Sequence, residues 1–255
     1  MIDLTPTAAL AIALSGVGLL AGSFLGLVSL RLPAGRGIVA GRSQCGGCGV
    51  ALPPWRLIPL VSYAVSRGRC AACRAVIPVR YPLMEAGCAA IGLWASLGQP
   101  TPLAALLTAL LGWQLLLIAV VDAENFWLPD ALTLPLLASG LAAAMLLDAQ
   151  TLRDAAIGAI VAFVGLKLLA LAYRRLRGRE GLGGGDPYLL AAGGAWVGWA
   201  GLPSVLLWAS VSGLSVVLAR QLAGRKVSGD DRLPFGVFLA IGVWLTWLYG
   251  PLGLG

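Results

Sequence analysis

The chain has 255 residues, 59% of them hydrophobic and 11% charged, with a mean hydropathy of +0.88, outside the range of soluble domains and expected of an integral membrane protein. Histidine is absent, which excludes Ser-His-Asp and Cys-His nucleophilic systems, HExxH zinc peptidases and mixed Cys/His metal sites. The 18 Lys and Arg against 11 Asp and Glu leave +7, an excess that in such a protein first reports orientation; no nucleic-acid partner is expected.

Apolar runs that cross a hydrocarbon core of roughly 30 Å need about 20 residues, or somewhat fewer among neighbours. Eight candidates follow one another, at 7 to 30, 84 to 98, 102 to 121, 131 to 147, 155 to 173, 187 to 201, 203 to 219 and 234 to 249. The expected fold is an all-α polytopic membrane protein of about eight transmembrane helices, with close packing through recurrent Gly and Ala. Residues 1–30 form the first helix, 31–82 a polar loop domain, and 83–255 the remaining bundle. No internal repeat stands out.

The first run is preceded by Asp3 and followed by Arg31, and it is too long for a signal-peptide core, so it reads as a retained helix with its N-terminus outside. Threading eight helices alternately puts 16 of the 18 basic residues on one side: Arg31, Arg36, Arg42, Arg56, Arg67, Arg69, Arg74 and Arg80; Arg174, Arg175, Arg177 and Arg179; Arg220, Arg225, Lys226 and Arg232. Arg153 alone lies in an opposite connection, and Lys167 lies within the fifth run. The Arg-rich side is therefore expected to be cytoplasmic and both termini periplasmic.

The first loop holds Cys45-Gly-Gly-Cys48 and Cys70-Ala-Ala-Cys73, two CxxC pairs with 21 residues between them. Such paired short-span chelation suits tetrahedral thiolate coordination, so Cys45, Cys48, Cys70 and Cys73 are expected to bind Zn2+ and fold a loop too small for its own core. Dithiol redox chemistry is the rival, disfavoured by a reducing cytosol. Cys88, alone in the second run, reads as a buried packing residue.

Ionisable groups in membrane helices are costly and carry a functional presumption. Asp148 and Asp154 flank an outward loop, Asp230 and Asp231 sit among basic residues, and Asp130 falls where an N-cap for the fourth helix is wanted. In Gly183-Gly184-Gly185-Asp186-Pro187 the Asp could cap, with Pro at the first helical position. Asp122 has no such role, ending an uncharged stretch from Thr101 to Val121 where the helix dipole disfavours a carboxylate. Threading places Asp122 and Asp186 at the same cytosolic boundary. If packing joins them, the two carboxylates share a proton, and one acts as base toward water while the other acts as acid toward an amide, aspartyl chemistry that needs no histidine.

Taken together the motifs resemble the type IV prepilin leader peptidases, membrane aspartyl peptidases with a GxGD signature. The likeness is carried by Gly22-Ser23-Phe24-Leu25 with Arg31-Leu32-Pro33, the CxxC pairs and Arg80-Tyr81-Pro82-Leu83-Met84-Glu85. It continues through Asp122 with Leu128-Pro129-Asp130 and Leu132-Thr133-Leu134-Pro135, Gly183 to Asp186, and Pro234-Phe235-Gly236 with Phe238-Leu239-Ala240. The resemblance implies a bacterial inner-membrane enzyme that removes the short basic leader of prepilins or type II secretion pseudopilins at the cytoplasmic face, with Asp122 and Asp186 catalytic and Gly183 and Gly185 accessory. It further implies methylation of the new N-terminal residue with S-adenosylmethionine. Glu85 reads equally as an accessory group near the site or methyl-transfer region and as an interhelical polar contact. The pattern departs at Gly26, where an Asn is usual, at Tyr188, where a lysine is common, and at Val237, where a Pro is usual. The departures at Gly26 and Tyr188 bear on substrate preference and methylation. The other function classes are a proton- or cation-coupled transporter, against which the lack of inverted-repeat symmetry weighs, and a non-catalytic zinc-loop assembly factor. Substrate polypeptides and membrane lipids are the expected partners.

Overall fold

A computed structural model describes residues 5–38, 43–178, 181, 183–224 and 233–252. Asp3, Arg42, Arg179, Arg225, Lys226, Asp230, Asp231 and Arg232 lie outside them. The described residues form α1 (Pro6–Arg31), α2 (Val61–Val65), α3 (Arg80–Gly98), α4 (Pro102–Asn125), α5 (Asp130–Leu147), α6 (Ala149–Arg177), α7 (Asp186–Leu222) and α8 (Phe235–Tyr249), with a 3-10 turn at Pro54–Leu57 and no β-strand. The all-helical expectation holds. Among the described residues, α1, α4, α5, α6 and α7 are long and apolar enough to cross a membrane, and α8 is apolar but shorter. The chain is a multi-pass membrane protein.

Two compact units divide at residues 117 and 118. In the first, α1 packs on α3 through small residues at four-residue spacing: Gly18 lies against the backbone at Cys88, Gly22 against that at Met84, and Gly92 of α3 against Leu14. Without side chains at these positions the backbones approach closely, and dispersion contacts replace the hydrophobic drive that lipid cannot provide. Gly26 continues the row against Tyr81 and Met84, so the residue standing where Asn is usual packs here as a small group. Cys88 is fully buried with Ala95, Ala109 and Trp113, and its carbonyl accepts from the Trp113 indole at 2.8 Å. It is the packing residue expected.

In the second unit α7 packs on α5, α6 and α8. Residues 189 to 196 are buried without interruption, as a helix enclosed on all sides requires. Gly158 of α6 and Gly194 of α7 meet backbone to backbone, and the Trp196 indole donates to the Leu136 carbonyl at 3.0 Å.

Two expectations need correction. The sixth and seventh apolar runs are two helices within α7 that meet at a kink at Gly198 (φ 70°, ψ 174°), a few residues ahead of the expected break between 201 and 203. Pro203 is what suggests the later boundary, but a proline ring clashes with the carbonyl four residues before it, here that of Trp199, so the irregularity appears upstream. The fifth run extends from 155–173 to Ala149–Arg177, because Asp148 caps it: its carboxylate accepts from the Thr151 N–H and hydroxyl, both at 2.8 Å. Gly178, at φ 68°, ends it after three arginines in the last turn.

Candidate active site

The four-cysteine loop is built from two copies of one turn. In the first, the Cys45 N–H donates to Val50, the Gly49 N–H donates to Cys45, and Gln44 bridges to Ala51; in the second, Cys70 donates to Ala75, Arg74 to Cys70, and Arg69 bridges to Val76. Gly49 and Arg74 occupy the same left-handed position, at φ 71° and 60°. A structural repeat therefore exists where the sequence shows little beyond the CxxC spacing. Gly47 lets the two turns close, since a Cβ there would stand 2.8 Å from that of Ala75.

All four sulfurs lie within 4.8 Å of one another, and Cys45 Sγ is 3.7 Å from Cys73 Sγ. A tetrahedral thiolate site with metal–sulfur bonds of about 2.3 Å has edges of about 3.8 Å, so this set could hold one metal ion. The thiols differ. Backbone N–H groups of Cys48 and then Gly47 stabilise the Cys45 thiolate and bring it down to about 6. Against a lowering hydrogen bond from Ala75, the Cys48 thiol, burial and the other two thiols push Cys73 up to about 11.

In the second unit, Asp122 near the end of α4 and Asp186 at the start of α7 are each 4% exposed. Both line a cavity of about 310 Å³, together with Phe126, Leu128, Asp130, the glycines 183 to 185 and Tyr188, and they are close enough for one charge to act on the other. Asp186 Oδ2 accepts from the Gly183 N–H at 2.8 Å. Asp122 Oδ2 accepts from the Val237 N–H at 3.1 Å. Each carboxylate is thus held by a backbone donor on a loop or helix start.

The glycines of the GxGD segment have distinct reasons. A Cβ at Gly183 would come within 3.1 Å of Asp186 Oδ2, and one at Gly185 within 2.5 Å of the Leu128 Cβ, whereas one at Gly184 would meet nothing within 4 Å. Gly236, at the start of α8, admits the Asp122 carboxylate: a Cβ there would stand 2.8 Å from its Oδ2. Phe126, after the last turn of α4, takes φ 49°, a left-handed stop usually given to glycine.

Two capping readings are corrected. Pro129 occupies the cap position of α5 and Asp130 is the first residue inside the helix; its place is the wall of the carboxylate cavity. Gly185 occupies the cap position of α7 and Asp186 lies inside the helix, its carboxylate turned back to Gly183. Glu85 is buried in the first unit and accepts from the Leu60 N–H at 2.8 Å. Leu60 sits at φ 58° before α2, so Glu85 ties the loop to α3. Sequence reading did not single out Phe126, Leu128, Gly236 or Val237 as site residues. The available signal was the Pro-Phe-Gly opening of α8, quoted only as a motif.

The chain matches the bacterial peptidase A24 N-terminal domain over residues 17–98 and the type IV leader peptidase family over residues 109–218. It is 43% identical over 222 residues to a prepilin leader peptidase/N-methyltransferase of Burkholderia pseudomallei, covering 86% of this chain and 71% of that relative. The corresponding protein of Pseudomonas putida is 37% identical over 256 residues, covering 92% of this chain and 88% of its own length. That of Pseudomonas aeruginosa is 36% identical over 261 residues, with 92% and 88% covered. No solved structure matches. With both halves of the chain matched and relatives this similar over most of their length, the chain belongs to the type IV leader peptidase family, whose members are enzymes.

Proposed function

We propose that this protein cleaves the short basic leader from type IV prepilins or type II secretion pseudopilins by aspartyl chemistry, and that it methylates the N-terminus so exposed. The observation that carries the reading is the convergence of two buried carboxylates, Asp122 and Asp186, on one cavity. Hydrolysis needs one of the pair deprotonated and the other protonated. The first takes a proton from water as its oxygen adds to the scissile carbonyl carbon, and the second donates a proton to the carbonyl oxygen. Collapse of the tetrahedral intermediate breaks the C–N bond as the first carboxyl passes the proton it took from water to the leaving nitrogen, and the second carboxylate recovers a proton from the hydroxyl as the carbonyl re-forms. The bonds from Gly183 and Val237 fix where the two carboxylates stand, and the burial of both residues strengthens their action.

In this reading the enzyme lies in the bacterial inner membrane with its site at the cytoplasmic face and both termini periplasmic, following the Arg-rich segments. Residues 31–82 form a cytoplasmic loop between the first helix, 1–30, and the bundle, 83–255. Cys45, Cys48, Cys70 and Cys73 hold Zn2+, which joins the two turns as a cross-link; Glu85 positions that loop through Leu60. The methyl donor is S-adenosylmethionine, in keeping with the N-methyltransferase names of the relatives.

Mass spectrometry of a pseudopilin incubated with S-adenosylmethionine and membranes carrying wild type, Asp122→Asn or Asp186→Asn tests this. Leader loss with wild type only, accompanied by an added methyl mass, is expected. Full cleavage by either Asn variant overturns the aspartyl assignment.

A further inference from the structure

The glycine row between α1 and α3 sets the depth of Glu85 in the membrane. Leu14 faces Gly92, Gly18 faces Cys88, and Gly22 faces Met84 and Glu85, so the two helices run antiparallel, and α1 is long and apolar enough to span. Glu85 therefore lies level with Gly22, nine residues before Arg31 and about 13 Å from it along the axis. Its carboxylate reaches only a few ångströms beyond the Cα, yet it accepts from the Leu60 N–H at 2.8 Å. Leu60 thus hangs at the depth of the helices and not above them. Around it the loop leaves large apolar side chains uncovered: Trp55, Leu57 and Ile58 on one side and Val61 and Val65 on the other, with Trp55 68% and Val65 80% exposed. Val61 and Val65 are one turn apart on α2 and share a face. Arg56, Arg67 and Arg69 are exposed among them, and residues 31–82 carry eight arginines and no acid.

We infer that the segment from Trp55 to Arg69 is a membrane-docking surface that sits in the headgroup region of an anionic bilayer, its apolar side chains against the acyl boundary and its three arginines on lipid phosphates. Large apolar groups interleaved with cations match a phospholipid surface, where tryptophan settles at the boundary and each arginine gains from the negative surface potential. Water gives such a patch no partner, and at the depth that Glu85 imposes on Leu60 the medium beside a spanning helix is lipid. Glu85 is the positioning residue. Itself buried, it holds Leu60 down in its left-handed conformation, φ 58°, and so aims both flanking apolar groups at the bilayer. The docking does not depend on the chemistry of Asp122 and Asp186.

The test uses the full chain in lipid nanodiscs, where both membrane faces are open to protease. In phosphatidylglycerol discs trypsin is expected to cut at Arg67 and Arg69 about tenfold faster in Val65→Asp and in Trp55→Asp than in wild type or in Val65→Leu. In phosphatidylcholine discs the wild type is expected to be cut about fivefold faster than in phosphatidylglycerol. A benzophenone amino acid at position 65 captures phospholipid, read as the mass of one lipid added to that peptide, with a pseudopilin present or absent. Glu85→Ala, which removes the acceptor for Leu60, reduces that capture severalfold. Equal trypsin rates in wild type and both Asp variants overturn the docking. So does capture of a polypeptide from position 65 in place of lipid, whether the second half of this chain, a second copy or the pseudopilin. Equal protection in the two lipids overturns the role of the arginines.

Discussion

The Asp122 carboxylate sits where a side chain at Gly236 would be, with a hypothetical Cβ only 2.8 Å from Oδ2, and it is held there by the next residue's N–H. Gly236→Ala therefore presses on the carboxylate and, at the same 2.8 Å, on Leu128 Cδ1. Misplacement of a reacting group by about 1 Å costs on the order of 100-fold in rate, and that loss in kcat is expected beside an overpacking cost of about 1 to 3 kcal/mol in thermal unfolding. Val237→Ala retains the N–H and is expected to stay within about twofold of wild type. Equal damage from both would show that the start of α8 matters through packing and not through Asp122.

The three glycines before Asp186 separate in the same way. Gly184→Ala enters open space and is expected to leave cleavage and stability unchanged, whereas Gly185→Ala drives a methyl into Leu128. Overpacking of that kind costs about 1 to 3 kcal/mol, and because Leu128 lines the carboxylate cavity the loss should appear in turnover as well as in thermal unfolding. Equal tolerance at positions 184 and 185 would contradict the contact.

Sequence discloses the cysteine cluster and the candidate acid where the signal is local, and conceals their surroundings where the signal is distant. The four cysteines are legible because ligand spacing is a property of a short stretch, and Asp122 because one acid closing a long uncharged run has no bland role. Asp130 is the opposite case: an acid beside a proline before a helix matches a cap locally, and only tertiary packing puts it on a cavity wall. The partner of Asp122 lies 115 residues away, and no periodicity announces it. Val237 looked like a departure from a usual proline. In the structure its N–H binds the carboxylate, a bond that proline cannot make.

The duplicated turns of the cysteine loop differ at one strained position. Gly49 and Arg74 both adopt left-handed backbone, which costs a non-glycine residue about 1 to 2 kcal/mol. Arg74→Gly is therefore expected to stabilise the loop by about 1 kcal/mol, and Gly49→Ala to destabilise it by a similar amount, read as the chelator concentration needed to strip the metal from the folded protein. Opposite signs would show that the Arg74 side chain contributes more than its backbone costs.

The unequal thiols predict how the loop takes up metal. At pH 7 Cys45, brought down to about 6 by backbone donors, lies above its midpoint and is mostly thiolate, while Cys73, pushed up to about 11, keeps its proton. After chelation, iodoacetamide should modify Cys45 well before Cys73, since only the thiolate is nucleophilic. Zinc must displace the Cys73 proton to bind it, so uptake releases protons and affinity rises as pH increases through the neutral range. Titration calorimetry in two buffers of different ionisation enthalpy measures that release, and mass spectrometry of the alkylated peptides gives the order of reaction. Proton-neutral uptake, or Cys73 reacting first, would show that the two turns do not polarise their cysteines as the hydrogen bonds to Cys45 and Cys73 require.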